Sequence, residues 1–214
     1  MAKRSKSSER WLHRQRRDYF VKRAHQEGRV SRAHYKLRHL DRRFKLIGNN
    51  FQVLELGAAP GGWTDYLGER LTMGRVIAVD PLPVTVSGTN VVVLQGRIGE
   101  PQIDERLSEL LQGRTAGLDL VLSDMAPNIS GVRVADQARS MELVGLATDA
   151  AFKWLKRGGA FVVKIMQGDG VESWLLETRR HFAKVNLVKP AASRPDSREN
   201  YGVARGFLRN PVVK

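Results

Sequence analysis

Two ionisable side chains stand where an α/β fold usually places its chemistry. Asp124 directly follows the apolar stretch LDLVLS, and Lys164 lies inside the apolar stretch AFVVKIM. A carboxylate at the carboxyl end of a parallel strand can bind a ligand. An unpaired ammonium inside a buried strand is costly, so it requires a carboxylate partner or a functional role. Lys164 is therefore either part of a reaction centre or a structural lysine that lies at the strand end or pairs with a core carboxylate.

The stretch FQVLELGAAPGGW predicts a buried strand that leads through a turn into a helix, with Gly57 and Gly61 in the turn. The turn contains neither GxGxxG nor GK[ST], the patterns that bind phosphate groups. About twenty residues later a second apolar strand ends in Asp80, whose carboxylate can accept bonds from both hydroxyls of a ribose. S-adenosylmethionine, a nucleoside without phosphates, fits this pattern. The alternative is a turn that only packs a helix against a sheet.

The order of apolar segments predicts an α/β fold. Strands are expected at 51–56, 75–79, 91–94, 118–122, 160–165, 185–188 and 202–207, and helices at 61–71, 103–112, 136–155 and 171–182. Their alternation indicates a doubly wound, mostly parallel seven-stranded sheet, the layout of a Rossmann-like methyltransferase. Only a loop separates the last two strands, so we expect one antiparallel strand near the C-terminus. We treat residues 1–214 as a single domain.

The charge of the chain is concentrated at one end. The net charge is +14, and residues 1–45 hold 16 Lys and Arg against 4 Asp and Glu. A basic helix is expected at 11–27, followed by a second helix that Ser31 caps, within a basic N-terminal extension at about 1–48. Such an arm favours RNA binding that weakens with salt, although a solvated tail or a transit peptide has a similar composition.

Several classes of chemistry and location are disfavoured by absences. The chain contains no cysteine, which excludes disulfides, thiolate metal sites and cysteine nucleophiles, and its five histidines are scattered, so we expect no metal requirement. No apolar run is long enough to span a membrane, and the N-terminus lacks the apolar core of a secretory signal. We expect a soluble, cytoplasmic protein.

Five motifs occur in the order SRAHYKL, ELGAAPGGW, SDMAPNISG, FVVKIMQGDG and SRENY. Together they resemble the FtsJ/RrmJ (RlmE) family of ribosomal RNA 2′-O-ribose methyltransferases, and the resemblance covers essentially the whole chain. It implies that Lys36, Asp124, Lys164 and Glu199 form a catalytic tetrad. Lys36, one cation among many, and Glu199, expected just before the final strand, would mean little alone. The resemblance also implies that S-adenosylmethionine binds at Gly57, Gly61, Trp63, Asp80 and Asp124.

Within this tetrad Lys164 is our candidate base for the ribose hydroxyl. Burial and a second cation, Lys36, favour the neutral amine, whereas Asp124 and Glu199 oppose that effect and fix the position of the amine. As RNA-contacting residues we predict Arg29, Arg32 and Arg194.

The resemblance implies a particular substrate, a uridine of the large-subunit (23S) ribosomal RNA in the assembled subunit, and a monomeric enzyme. Methylation of tRNA or an mRNA cap would use the same chemistry. A non-catalytic RNA-binding ribosome-assembly factor, and more remotely a dehydrogenase, remain as alternatives from other classes. Methylation of an exocyclic amine is disfavoured because the turn after Asp124 reads DMAP rather than [DN]PP[YF].

One position departs from the family pattern. In LQGRIGE the residue after QG is Arg97, where the family usually has an aspartate that accepts the adenine amino group. Arginine has no acceptor. Either a backbone carbonyl nearby, such as that of Ile98, takes this role, or we expect the adenosine to be held less tightly.

Overall fold

A computed structural model of the protein describes residues 18–111, 117–194 and 196–209. The helices are α1 Tyr19–Gln26, α2 Ala33–Phe44, α3 Gly62–Arg70, α4 Pro101–Leu111, α5 Arg133–Trp154 and α6 Val171–His181. The strands are β1 Gln52–Leu56, β2 Arg75–Asp80, β3 Val91–Gln95, β4 Leu118–Ser123, β5 Leu155–Met166, β6 Phe182–Val188 and β7 Glu199–Phe207.

The strands form one seven-stranded sheet in the order β3-β2-β1-β4-β5-β7-β6. Strands β1 to β5 pair in parallel, and β7 lies antiparallel to both β5 and β6. The predicted doubly wound sheet with an antiparallel strand near the C-terminus is thereby confirmed. The chain order changes direction between the neighbouring strands β1 and β4, and ligands of such sheets bind at the carboxyl ends of these strands.

Helices cover both faces of the sheet, because neighbouring residues of a strand point to opposite faces. In β1, Leu54 and Leu56 pack with α4, α5 and α6, whereas Val53 packs on the other face with α2 and α3. Burial on both faces explains why these strands read as continuous apolar runs in the sequence.

The two N-terminal helices begin differently. Asp18 has extended backbone angles, and its carboxylate accepts bonds from the amides of Phe20 and Val21, so a helix, α1, begins at Tyr19, within the range 11–27 predicted for the basic helix. Residues 11–17 of the predicted helix lie outside the described residues. The predicted cap Ser31 lies one residue before the N-cap of α2, which is Arg32 and makes no side-chain cap bond, although the Ser31 hydroxyl accepts a bond from the Ala33 amide at 3.2 Å.

The described part of the predicted basic extension contributes to the core of the sheet domain. Leu37 and Leu40 of α2 are fully buried, and Leu46 and Ile47 pack with them against the sheet. The second helix therefore belongs to the body of the protein and presents Arg42 and Arg43 at its outer surface.

Some element boundaries differ from the sequence-based expectation. Strand β7 begins at Glu199 rather than at residue 202, because its antiparallel pairing with β5 continues to the pair Met166 and Glu199. Helix α5 begins at Arg133, and the Asp136 carboxylate in its first turn accepts bonds from the preceding loop. Within the described ranges, no helix has both the length and the apolarity that crossing a membrane requires.

Candidate active site

The turn after β1 is fixed against the end of β2. Gly57 has φ of 74°, a conformation that favours glycine, and its amide donates to the Val79 carbonyl at 3.0 Å. The two carboxylate oxygens of Asp80 accept bonds from the amides of Ala59 at 3.0 Å and Leu82 at 2.8 Å. Each oxygen can accept one further bond. The end of β2 therefore holds a positioned carboxylate that suits a vicinal diol.

Two other predicted cofactor residues lie at the start of α3. Gly61 has φ of 120°, and a Cβ at this position would lie 2.6 Å from a Val86 methyl group. Trp63 is only 1% exposed and its ring packs 5.7 Å from the ring of Tyr201. Its indole nitrogen is buried without an acceptor among the described residues. Because the side chain of Trp63 belongs to the core, a ligand contact at this residue would use the backbone. The cofactor role of both residues stays a prediction.

Arg97 is exposed in the loop after β3. This loop lies beside β2, because the Gly96 amide donates to the carbonyl of Asp80 at 3.0 Å. The Arg97 amide donates to the Glu100 carboxylate, and the Arg97 carbonyl accepts from the Glu100 amide. The departure from the family pattern therefore lies at the edge of the predicted nucleoside site.

Asp124 and Lys164 form an ion pair at the carboxyl ends of β4 and β5. The Asp124 amide donates to the Leu56 carbonyl at 3.0 Å, which fixes Asp124 beside the end of β1. Nζ of Lys164 lies 3.0 Å from Oδ1 of Asp124 and also donates to the Asp124 carbonyl. The predicted carboxylate partner of the strand lysine is therefore Asp124.

Lys36 and Glu199 form a second ion pair, between α2 and the start of β7. Nζ of Lys36 donates to Oε2 of Glu199 at 2.8 Å, and the Ser193 hydroxyl donates to Oε1 at 2.7 Å. With 12% and 16% of their side chains exposed, Lys36 and Glu199 are largely buried. Both carboxylate oxygens of Glu199 are thus engaged, which fixes the position of the Lys36 ammonium.

Tyr201 joins the two ion pairs. Its hydroxyl donates to Oδ1 of Asp124 at 2.7 Å and accepts from Nζ of Lys36 at 3.4 Å. Glu199 and Tyr201 are two residues apart on one face of β7, and Tyr201 pairs with Lys164 in the register of β5 and β7. The resulting chain of contacts, which we call the active-site row, consists of Lys36, Glu199, Tyr201, Asp124 and Lys164.

The charges of the row keep Asp124 ionised. Desolvation opposes ionisation, but the positive charges of Lys164 and Lys36 and the bond from Tyr201 outweigh it and hold the pKa of Asp124 below its usual range. Burial and the negative charges of Asp124 and Glu199 raise the pKa of Tyr201 well above its usual value. The tyrosine therefore remains a hydrogen-bond donor at neutral pH.

Glu55 is a second buried carboxyl near the site. It is 1% exposed on β1, and its Oε2 accepts from the Thr64 hydroxyl at 2.8 Å. Burial raises the pKa of Glu55 to about 8 against the effect of the Thr64 bonds, and the negative charges of Asp124 and Asp80 contribute to the increase. Glu55 therefore keeps its proton at neutral pH, in contrast to Asp124.

The sequence-based reasoning did not single out Tyr201 or Glu55. A signal for Tyr201 was available, since SRENY places it two residues after Glu199 and hence on the same face of a strand. Glu55 interrupts the apolar run VLEL, a position where a carboxylate without a cation is expensive to bury.

The three predicted RNA-contacting arginines form ion pairs within the protein. Arg32 and Arg194 both contact the Asp18 carboxylate, with Nε of Arg194 at 3.1 Å. Arg29 contacts Glu69, and lies 3.7 Å from Asp65. The structure thus brings Arg32 and Arg194 together and places Arg29 elsewhere, and RNA contact by these residues stays a prediction. In the described ranges, no three His, Asp or Glu residues are grouped so that they could hold a metal ion.

The comparison with protein families decides where the chain belongs. Residues 29–207, which include the whole active-site row, match the model of the FtsJ-like methyltransferase family. The chain belongs to the FtsJ-like methyltransferase family. The sequence-based resemblance is confirmed.

Close relatives of this FtsJ-like methyltransferase carry one name, "Ribosomal RNA large subunit methyltransferase E". The protein of that name from Stutzerimonas stutzeri (strain A1501) is 48% identical over 206 residues, which cover 96% of this chain and 98% of the relative. The one from Coxiella burnetii (strain CbuK_Q154) is 46% identical over 207 residues, which cover 94% of this chain and 96% of the relative.

Solved structures support the fold of the FtsJ-like methyltransferase. A putative ribosomal RNA methyltransferase from Plasmodium falciparum superimposes with a TM-score of 0.73 at 29% identity, over 83% of this chain and 98% of that one. The MycE methyltransferase from the mycinamycin biosynthetic pathway, solved with Mg, SAH and mycinamycin VI, gives a TM-score of 0.55 at 16% identity. It covers 83% of this chain and 47% of that one, and the likeness concerns the fold alone.

Proposed function

We propose that this protein methylates the ribose 2′-hydroxyl of a uridine in large-subunit ribosomal RNA, in the assembled subunit, with S-adenosylmethionine as methyl donor. The observation that carries the proposal is the active-site row. It joins two lysines and two carboxylates through one tyrosine at the end of β4, directly beside the turn that carries Gly57. A site for a nucleoside and a site for proton transfer therefore adjoin.

The residues at the end of β2 suit S-adenosylmethionine. The Asp80 carboxylate is 7% exposed, each of its oxygens accepts one backbone bond, and each retains capacity for one ribose hydroxyl. The turn at Gly57 and Gly61 would hold the remainder of the nucleoside close to the backbone. When bound, S-adenosylmethionine supplies an electrophilic methyl group on a sulfonium. Without phosphates, this cofactor needs no phosphate-binding fingerprint.

The two hydrogen bonds that Lys164 makes to Asp124 determine the direction in which the lone pair of its Nζ nitrogen points. An amine nitrogen is tetrahedral, and two of its directions point to Oδ1 and the carbonyl oxygen of Asp124. In the neutral amine these two directions hold the N–H groups, and the lone pair occupies the remaining direction. With the cofactor bound, Lys164 would take the proton of the 2′-hydroxyl as this oxygen bonds to the methyl carbon and displaces the sulfonium sulfur, which leaves as a neutral thioether.

The rest of the active-site row keeps Lys164 in place. Asp124 holds the amine from two sides, and the Tyr201 hydroxyl fixes the Asp124 carboxylate. Lys36 is fixed by Glu199 and can donate to the ribose oxygen or its neighbouring phosphate. Orientation of the hydroxyl in line with the methyl group is the main requirement of a direct displacement.

The substrate assignment has two supports. Relatives that match nearly the whole length of the chain are named as ribosomal RNA large subunit methyltransferases. In addition, the excess positive charge of the chain lies within its first 45 residues, as expected of a protein that binds a polyanion.

The decisive experiment is methyl transfer from labelled S-adenosylmethionine to large ribosomal subunits from cells that lack this protein. Protein-free ribosomal RNA, free tRNA and capped mRNA serve as competing substrates. We compare the wild type with Lys164→Ala and with Lys184→Ala, a control that removes an exposed lysine from β6. We expect label at a uridine whose 3′ phosphodiester resists alkali, and a loss of roughly 100-fold or more in kcat for Lys164→Ala alone.

Each other result would change a defined part of the proposal. Label only in tRNA or cap would replace the substrate, and label only in protein-free RNA would remove the assembled subunit from it. No transfer by folded protein that binds S-adenosylmethionine would indicate a non-catalytic assembly factor.

A further inference from the structure

A basic cleft lies between α1 and α2, outside the active-site row. Its volume is about 480 Å³, within the range of roughly 300 to 1,000 Å³ typical of ligand sites. Its base is formed by Phe20, Tyr35 and Ala192. We call it the α1–α2 cleft, and the basic side chains that line it are Arg23, Arg38, His39, Arg42 and Arg43.

Three guanidinium groups of the cleft form no ion pair with any described residue: those of Arg38, Arg42 and Arg43. Arg42 and Arg43 are exposed, and Arg38 is half-buried. The carboxylate of Glu27, which directly follows α1, is already bonded by Arg23 at 2.7 Å and by the Tyr35 hydroxyl at 2.8 Å. Glu27 therefore neutralises Arg23 and interacts with Arg38 through charge alone, whereas Arg42 and Arg43 have no carboxylate partner among the described residues.

Helix α2 supplies residues to both the cleft and the active-site row. Lys36, His39 and Arg43 follow at three- and four-residue spacing, so they lie on one face of the helix. Seven residues of α-helix span roughly 10 Å. The cleft residues His39 and Arg43 therefore lie one and two helical turns from Lys36, on the same face of α2.

Burial and the charge of Arg43 lower the pKa of His39, so this imidazole is neutral at pH 7 and adds a hydrogen-bond donor without a charge. Guanidinium groups bind phosphates through two parallel N–H bonds, and they do so best when no carboxylate competes for them. A row of guanidinium groups next to a proton-transfer site suits an anionic polymer that contacts the cleft and the active-site row at the same time.

We propose that the α1–α2 cleft binds the sugar–phosphate backbone of the substrate RNA next to the nucleotide that is methylated. The inference rests on the proposed function and adds a binding site to it. Arg38, Arg42 and Arg43 contact phosphate oxygens, and Lys36 marks the point where the backbone reaches the active-site row. Because phosphate contacts carry no sequence information, the cleft contributes affinity and register but no base preference.

The test compares Arg42→Ala, the double variant Arg38→Ala with Arg42→Ala, and the control Arg179→Ala. Arg179 is an exposed arginine on α6, on the opposite face of the sheet. Methyl transfer to large subunits is measured against salt. We expect KM to rise roughly tenfold for the double variant, with the effect concentrated in KM rather than kcat, since bonds to charged groups are the strong ones. The slope of log affinity against log salt should become shallower by about 0.7 for each phosphate of a single strand that the variant no longer neutralises.

Binding of a single-stranded oligouridylate, followed by fluorescence anisotropy, separates this proposal from the proposed function. Weakened RNA binding by the cleft variants with full binding by the control supports the cleft, even if the wild type transfers no methyl group. RNA binding and salt slope equal to those of the control would overturn the proposal. The proposal would also be overturned if the cleft variants bound RNA as the wild type does but bound poly-glutamate more weakly, which would indicate an acidic protein partner.

Discussion

The active-site row and the α1–α2 cleft both contain cations from α2, but these cations differ in their burial and in whether a carboxylate pairs with them. In the row, Lys36 and Lys164 are largely buried, and each bonds a carboxylate within 3.0 Å. In the cleft, Arg42 and Arg43 are exposed and have no carboxylate partner in the described part of the chain. One helix thus supplies a fixed ammonium on one turn and unneutralised guanidinium groups two turns later.

The difference reflects the cost of an unpaired charge in each environment. A buried charge without a partner costs several kcal/mol, so it is retained only where a counter-charge and hydrogen bonds hold it in one geometry. An exposed charge costs little, and an exposed ion pair contributes about 1 kcal/mol or less. Proton transfer needs the first arrangement, because reacting atoms must be positioned. Binding of a polyanion needs the second.

The largest effect that this comparison predicts concerns Glu55, a buried carboxyl that hydrogen-bonds Thr64 and has no cationic partner in the described residues. Its pKa is raised to about 8 in the folded protein, so between about pH 4.3 and 8 the folded state holds a proton that the unfolded state has lost. The free energy of unfolding must therefore fall as pH rises through this range.

Glu55→Gln should remove this dependence while it keeps an oxygen for the Thr64 bond. Chemical denaturation at pH 5 and pH 8 measures the difference, which we expect to be on the order of 4 kcal/mol in the wild type relative to the variant. Glu105→Gln, at an exposed site on α4, is the control. A pH-independent difference between wild type and Glu55→Gln would mean that Glu55 is ionised in the fold, and that burial without a cation does not decide its charge.

Tyr201→Phe tests whether the pairing within the row serves catalysis. The change removes the hydroxyl that bonds Asp124 and Lys36 but keeps the ring that packs on Trp63. A bond to a charged group contributes about 1.5 to 3 kcal/mol, so we expect kcat to fall roughly tenfold or more, with KM nearly unchanged.

Tyr66→Phe is the matched control for this experiment. The Tyr66 hydroxyl donates to the Asp41 carboxylate at 2.8 Å, a buried bond of the same kind outside the row. This variant should lose stability in thermal denaturation and retain kcat. Equal decreases of kcat in both tyrosine variants would show that the row contributes only to stability.

Arg97→Asp is expected to have the smallest effect. It places an acceptor in the loop beside Asp80, where an adenine amino group would lie. One neutral-to-charged hydrogen bond at an exposed site should tighten the binding of S-adenosylmethionine by a few-fold, on the order of 1 kcal/mol. Calorimetry on Arg97→Asp and Arg97→Ala distinguishes an added acceptor from a removed cation. Equal affinity of the two variants and the wild type would refute a role for this position.

The fold was predictable because its signals are local. Each central strand is an apolar run that ends at glycine or aspartate, and the pattern at Gly57 and Asp80 directly indicates a turn at a sheet edge. The antiparallel strand followed from the short connection before it. The exact start of β7 could not be predicted from the nearby sequence, because it depends on pairing with β5 as far as Met166.

The four charged members of the active-site row were predictable as a set only through the family resemblance. The bridge through Tyr201 depends on the register of β5 against β7, which no single stretch of sequence encodes. The ion pairs of the arginines were out of reach for the same reason. Arg194 contacts Asp18, a residue 176 positions away, so a basic side chain in the sequence need not be a free cation in the fold.

Strand β7 lies between β5 and β6, although the ribosome synthesises it after both. During synthesis, β5 and β6 are therefore both completed before the strand that pairs with them. At that stage Asp124 and Lys164 are already part of the chain, whereas Glu199 and Tyr201 have not yet been added. The growing polypeptide therefore lacks a complete active-site row until β7 inserts between its two neighbours. Under the proposed function, methyl transfer therefore requires that β7 has paired with both β5 and β6.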